Sequence, residues 1–273
     1  MGTPQFAVPT LQALMSHHEV VAVVTQPDAA AGRGRVLSPS PVKALAVERG
    51  VTVLQPESLK PPEVVDQLRA YAPDVIVVAA FGQILRRPVL ELPPHGCVNV
   101  HTSLLPRWRG ASPISAAIAA GDEATGITIM RMDAGLDTGP ILSQRGEPIR
   151  PDDTAGALGA RLAELGAALL IETLPGYLDG RIQPQPQDEA RATKCGLLKK
   201  EDGRIDWQRG AMEIERHVRA MSPWPSAFTH WEGRLLRVVR AAARPANPEA
   251  VTLAPGTVFV AGKSICVRCG EDA

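Results

Sequence analysis

The sequence predicts an α/β protein: a Rossmann-like, mainly parallel sheet in an N-terminal domain, followed by a smaller β-barrel (OB-like) C-terminal domain. Three observations carry this expectation. The β-branched runs Val20–Thr25, Asp74–Ala80 and Gly96–His101 lack helical period and read as buried parallel strands. Helical stretches alternate with strands through the first two thirds of the chain, as a parallel sheet requires. Beyond residue 196 the pattern changes to short strands separated by turns.

In chain order, Pro9–Ser16 reads as a helix and Val20–Thr25 as the buried strand after it. Val51–Leu54 is a short strand, and Pro62–Tyr71 a helix with Val64, Val65 and Leu68 on one side. Asp74–Ala80 and Gly96–His101 are further buried strands. Ile114–Ala120 is a short helix ended by Gly121. Thr125–Met132 alternates as a strand, with Pro140–Pro148 as its hairpin partner, and Thr154–Leu174 is a long helix. Gly180–Gln187 is a polar, proline-containing connector. Glu213–Ala220 is helical, and Ala227–Trp231, Leu235–Ala241, Gly256–Val260 and Ser264–Val267 are short strands. The expected organisation is a first domain over 1–180, a linker over 181–196 and a second domain over 197–273.

A length of 273 residues accommodates one large domain or two ordinary ones. Aromatic residues make up only 4%, so Ala, Val and Leu must fill the core. No apolar run approaches the roughly 20 residues a membrane helix needs, and Met1–Gln5 does not open a secretion signal. The expected location is therefore the cytoplasm. Four cysteines do not suggest a disulfide framework. The lone Cys266-Val-Arg-Cys269 lacks a second ligand pair, so no metal is expected. Residues 191–273 carry 14 Lys and Arg against 9 Asp and Glu, whereas residues 1–190 carry 15 against 20. A basic rear half joined to an acidic front suits a catalytic domain coupled to a polyanion-binding one. A solvated basic face would give the same count.

The densest chemistry lies in Asn99–Gly110, directly after an apolar strand, where ligands bind in parallel sheets. Asn99 and His101 are two apart and share one side of a strand. An amide donor can hold a developing oxyanion, and an imidazole can move a proton near neutral pH. Asp137, between Gly135 and Gly139, is the candidate carboxylate for fixing the imidazole tautomer. Each residue also has a structural reading: a satisfied strand-end His, a capping Asn, a turn Asp.

The string Asn99–Ile114 (NVHTSLLPRWRGASPI) closely resembles the core motif of the folate-dependent formyltransferases. Gly121-Asp122, Thr125–Thr128 and Met132–Gly139 follow at that family's spacing. The resemblance implies formyl transfer from the co-substrate 10-formyltetrahydrofolate without a metal. It implies a catalytic set of Asn99, His101 and Asp137, and a folate-binding segment of Ser103, Leu104, Leu105 and Pro106. Thr102 departs from the family's usual Gly or Ala. Among members, Thr25–Lys43 resembles a long loop that contacts a tRNA acceptor end, with Arg33, Arg35 and Lys43 as phosphate contacts. Arg204–Trp207 and Arg219–Pro225 resemble the C-terminal domain of the same branch, and Arg216, Arg219, Arg234, Arg237 and Arg240 add basic candidates there. The implied acceptor is the α-amine of methionyl initiator tRNA, bound by a monomer. A sugar nucleotide as acceptor, or a catalytically impaired tRNA- or folate-binding protein, are the competing readings. The family usually carries a strand of about ten residues before Gly-Thr-Pro, since that loop follows a strand of the sheet, and continues past Ala273. The chain as written is therefore expected to have an unpaired central position and low stability.

Overall fold

The computed structural model describes residues 1–31, 36–245 and 252–270. The chain divides into two compact units. One comprises Met1–Gly110, Gly126–Glu147 and Gly159–Lys194, the other Ala111–Thr125, Pro148–Leu158 and Cys195–Ala273.

The first unit opens with α1 (Ala7–His17) and β1 (Val23–Val24), then the antiparallel pair β2 (Ala29–Ala31) and β3 (Val36–Ser38). Next come α2 (Pro41–Glu48), β4 (Val53–Leu54), α3 (Pro62–Arg69), β5 (Ile76–Val78), α4 (Arg87–Leu90), β6 (Cys97–His101) and β7 (Arg109–Gly110). Helix α2 starts where it does because the Ser40 hydroxyl accepts the Lys43 N–H at 3.1 Å and Pro41 supplies a preset first turn. In α3, Val65 and Leu68 form the buried stripe, packed with Ile76, Val78, Phe81, Val89 and Cys97 into one apolar cluster.

After α5 (Pro113–Ala120), β8 (Ala124–Arg131) and β9 (Ile141–Pro148) complete a four-stranded sheet in the order β5-β6-β8-β9. β5 and β6 are parallel, β6 and β8 antiparallel. From Thr125 to Met130 every residue of β8 is buried, so both faces of this strand are covered. Helix α6 (Ala155–Leu178) runs past the expected end at Leu174 with Pro175 inside it. Proline lacks a donor but keeps its carbonyl, and that carbonyl accepts the Asp179 N–H at 3.0 Å. Among the described residues no helix is long and apolar enough to cross a membrane.

β1 and β4 form a separate parallel pair. Met1 and Gly2 bridge from it toward β5. The Gly2 N–H donates to the Val24 carbonyl at 3.0 Å, the Ala79 N–H to the Met1 carbonyl at 2.9 Å, and the Met1 ammonium to the Val77 carbonyl at 2.6 Å. Beside this bridge lies a cavity of about 280 Å³ bordered by Val20–Val23, Asp74–Val77 and Thr10, whose buried hydroxyl has no hydrogen-bond partner among the described residues. The expected strands Val20–Thr25 and Asp74–Ala80 accordingly shrink to Val23–Val24 and Ile76–Val78, the segments along the cavity being unpaired among the described residues.

The expected connector is stitched onto this unit. The Ile182 N–H donates to Gly176 at 2.8 Å, and Gln185 exchanges backbone bonds with Ile141 at 2.8 Å. The unit ends at β10 (Lys194–Cys195).

In the second unit α5 packs against α7 (Ala211–Ala220), which buries Ile214 and Val218. Gly121 closes α5 in the left-handed conformation, φ 77°. Arg219 forks onto Glu215 at 2.7 and 3.0 Å and reaches the Asp153 carbonyl at 3.1 Å. β11 (Ala227–Trp231) with β12 (Arg234–Val238), and β13 (Val258–Ala261) with β14 (Ser264–Val267), form two antiparallel hairpins. Among the described residues these remain separate two-stranded sheets, so the expected barrel does not close. A cavity of about 680 Å³ lined by Trp207, Ile214, Trp231, Leu236, Phe259 and Ile265 lies where the hairpins would pair.

Candidate active site

Strand β6 carries the first two candidates. Asn99 and His101 share a face, and the strand is held in register by Val78 opposite Asn99 on one side and by Met130 and Thr128 opposite Asn99 and His101 on the other. The Asn99 side chain is half-buried, and its amide makes no hydrogen bond to the described residues. His101 is 6% exposed.

A carbonyl oxygen only accepts, so the 3.1 Å contact between His101 Nε2 and the Trp108 carbonyl identifies Nε2–H as the donor. Trp108 turns its carbonyl onto the ring by adopting a positive φ of 60°, a conformation costing roughly 1–2 kcal/mol in a non-glycine residue. The Arg107 guanidinium covers the Trp108 ring at 4.5 Å. The ring is thus oriented by a backbone carbonyl and not by Asp137, whose Oδ2 stands 3.8 Å from Nδ1. That exceeds hydrogen-bond length. Burial pushes the His101 pKa below its ordinary value, while the Asp137 charge and the Trp108 carbonyl oppose the shift. The nitrogen left to take up a proton is Nδ1, and it faces the carboxylate.

Asp137 itself sits at φ 51°, the left-handed region. Its Oδ2 accepts the Gly110 N–H at 2.8 Å. Neither Gly135 nor Gly139 lies in the left-handed region. Gly139 answers a close approach instead, since a Cβ there would lie 1.9 Å from the Arg131 carbonyl oxygen. Asp133 Oδ1 holds the loop by accepting from the Gly135 N–H at 2.9 Å and the Thr138 hydroxyl at 2.7 Å.

The Ser103–Pro106 segment is fastened from beneath. The buried Ser103 hydroxyl donates to the Arg107 carbonyl at 2.6 Å. Thr128 Oγ1 donates to the Ser103 carbonyl at 2.6 Å and accepts the Leu105 N–H at 3.1 Å. Gln144 donates to the Leu105 carbonyl at 2.9 Å. Leu105 is buried, while Leu104 and Pro106 are half-buried. Leu104 also packs where a Cβ on Gly126 would stand, 2.7 Å from its Cδ2 and 2.2 Å from the Arg145 carbonyl oxygen. Ser103 therefore spends its hydroxyl on the loop, and Thr128, from the Thr125–Thr128 motif, ties the segment to the sheet.

Arg33 and Arg35 lie outside the described residues. Lys43 pairs with Asp28 at 2.6 Å, and Gln55 donates to the other Asp28 oxygen at 2.8 Å. The Lys43 and Gln55 hydrogen bonds hold the Asp28 pKa below its ordinary value. In the second unit Arg234, Arg237 and Arg240 are exposed, whereas Arg219 is engaged with Glu215.

Further residues of the site had no readable signal in the sequence. Arg109 is 2% exposed and forks onto Glu189 at 2.7 and 2.9 Å. Its pKa is raised chiefly by that hydrogen bonding, and the Glu189 pKa is correspondingly lowered. Gln187 lies between Arg109 and the Asp137 loop. A buried arginine inside the Arg-Trp-Arg string looks, in sequence, like any exposed one.

With this geometry in hand, comparison with known proteins is specific. The family described as "Formyl transferase" matches residues 1–174, and "Formyl transferase, C-terminal domain" matches residues 197–273. The methionyl-tRNA formyltransferase of Myxococcus xanthus is 52% identical over 274 residues, covering 100% of this chain and 86% of the relative. That of Chloroflexus aggregans is 51% identical, covering 100% and 88%. Among solved structures, an N-formyltransferase from Helicobacter canadensis in complex with folinic acid and dTDP-3-aminofucose superposes with a TM-score of 0.69 at 16% identity, covering 98% of this chain and 93% of that one. The methionyl-tRNA formyltransferase of Clostridium thermocellum gives a TM-score of 0.56 at 20% identity, covering 82% and 89%.

Proposed function

The chain belongs to the formyl transferase family in both of its segments, and from that premise we propose the following reading. It is an enzyme that transfers the formyl group of 10-formyltetrahydrofolate to the α-amine of methionyl initiator tRNA, for translation initiation. The observation that carries this is identity of about one half along the whole chain to proteins of that name, 52% and 51% for the two relatives above. The acceptor cannot be read from the solved sugar N-formyltransferases, which share the fold at much lower identity.

The residues fit this chemistry. An α-amino group has a pKa near about 7.7–8, so much of it is neutral at physiological pH and needs no strong base. Asn99 donates its amide N–H to the formyl oxygen as that oxygen gains charge. His101 Nδ1, facing Asp137, receives the proton shed as the new C–N bond forms. The Asp137 carboxylate stabilises the resulting imidazolium. The pair returns the proton to N10 of the folate as the old C–N bond breaks, so no proton is gained or lost overall. Ser103–Pro106, braced by Thr128 and Gln144, shapes the folate side. Arg33 and Arg35 contact tRNA phosphates, with Lys43 bracing the base of their loop through Asp28. Residues 197–273 form the tRNA-binding domain, and the enzyme works as a cytoplasmic monomer.

Formyl transfer measured with methionyl initiator tRNA, uncharged tRNA and free methionine tests the reading. Transfer to the charged tRNA alone is expected. Transfer to none of them, with activity on an amino sugar nucleotide, would overturn the acceptor.

A further inference from the structure

We infer that Gln187 is a positioning residue that sets the Asp137 carboxylate against His101, acting from the segment that joins the two family-matched regions. The inference rests on the reading of Asp137 and His101 as the reacting pair. The Gln187 amide uses both of its ends. Nε2 donates to the carbonyls of Asp137 at 2.8 Å and Gly139 at 2.7 Å. Oε1 accepts from Arg109 Nε at 3.0 Å and Nη2 at 2.8 Å. Arg109 is in turn fixed by Glu189, so the amide has one orientation available.

The contacts close a ring. Arg109 holds Gln187, Gln187 holds the Asp137 backbone, and Gly110, the residue after Arg109, holds the Asp137 carboxylate at 2.8 Å. Asp137 needs such restraint because its φ of 51° is unfavourable for a residue with a side chain. Released, the loop relaxes toward ordinary backbone angles, and the carboxylate swings away from Nδ1. Gln is specified by polarity. A glutamate would satisfy Arg109 but could donate to neither carbonyl, and a methionine of similar shape would do neither. The charged groups around this ring are Asp137 beside His101, and Glu189, Asp133 and Asp137 around Arg109.

The test uses the full chain with 10-formyltetrahydrofolate and methionyl initiator tRNA, comparing wild type with Gln187→Met, Gln187→Glu and His101→Ala. Both Gln187 variants should lose about 10- to 100-fold in kcat, the cost of misplacing a reacting group by about an ångström, with both KM values little changed. The His101 ring proton, followed by NMR titration, should show a lower pKa in Gln187→Met, because the carboxylate that raises it has moved while no charge has been added. If Gln187→Met does not fold, Gln187→Ala, which likewise adds no charge, carries the same two readouts. Normal kcat in a folded variant, or reduced kcat with an unmoved His101 titration in the uncharged variant, overturns the inference. Near-normal turnover of His101→Ala would instead overturn the reading beneath it.

Discussion

The Trp108 carbonyl holds the His101 ring: Nε2–H donates to it at 3.1 Å, which leaves Nδ1 as the nitrogen that exchanges protons. In the proposed mechanism Nδ1 and the Asp137 carboxylate act together. Replacing Asn99 by Ala should reduce turnover about 10²–10³-fold, the usual effect of losing an oxyanion donor. Replacing His101 by Ala should reduce it about 10²–10⁴-fold. Steady-state formyl transfer checks both, and a variant with near-normal turnover would lose its place in the mechanism.

Stability should rise from acid toward pH 8. Burial lowers the His101 and His217 pKa values in the fold. A group with a depressed folded pKa binds more protons when unfolded, so its contribution is present above the unfolded pKa and is lost as pH falls. For these histidines the loss begins below about 6.5. The Met1 ammonium acts in the same direction over a higher window, since burial lowers its pKa from 8.0 to about 6. Two pKa units correspond to roughly 3 kcal/mol. Urea unfolding at pH 6 and pH 8 should show the higher midpoint at pH 8; equal midpoints would count against both assignments.

Lengthening the chain before Met1 with a β-branched segment of about six residues, a normal strand length, should raise the melting temperature. Such a segment could pair with the backbone bordering the 280 Å³ cavity and would replace the buried charge with a peptide bond. It should also flatten the pH dependence above pH 6. An extension that leaves both melting and pH dependence unchanged would show that the cavity is not a strand position.

Gly126→Ala should destabilise the first unit by about 1–3 kcal/mol, as overpacking does. The new Cβ meets the Arg145 carbonyl oxygen at 2.2 Å, which backbone pairing prevents from moving aside, and Leu104 at 2.7 Å. On the proposed reading of Leu104 as part of the folate segment, KM for 10-formyltetrahydrofolate should rise as well. Denaturant unfolding together with folate kinetics would reveal either effect, and a neutral substitution would mean that β8 and β9 separate easily.

Changing Arg33 and Arg35 together to Ala should weaken methionyl-tRNA binding and reduce its dependence on salt, with a slope smaller by about two. KM for the folate should stay unchanged. Lys43→Ala should act differently, loosening the loop base by releasing Asp28 and Gln55. Kinetics over a range of salt concentrations would separate the two effects.

The alternation of β-branched strands with helices, the shared face of Asn99 and His101 and the dense Asn99–Gly110 string were legible in the sequence, because period and apolar runs are local properties of the chain. The extent of β1 and β5 was not, because a strand reaches only as far as its partner and pairing with distant segments is not a local property. The closed barrel expected of the second unit also failed to appear among the described residues. Strand patterns specify hairpins, while closure depends on edges meeting in space. At the site, the sequence named His101 and Asp137. Only the tertiary structure decided that Trp108 orients the ring and that Gln187, 50 positions from Asp137, anchors its loop. Those hydrogen bonds depend on backbone angles and on which distant segments the fold brings together, and residue identity carries neither.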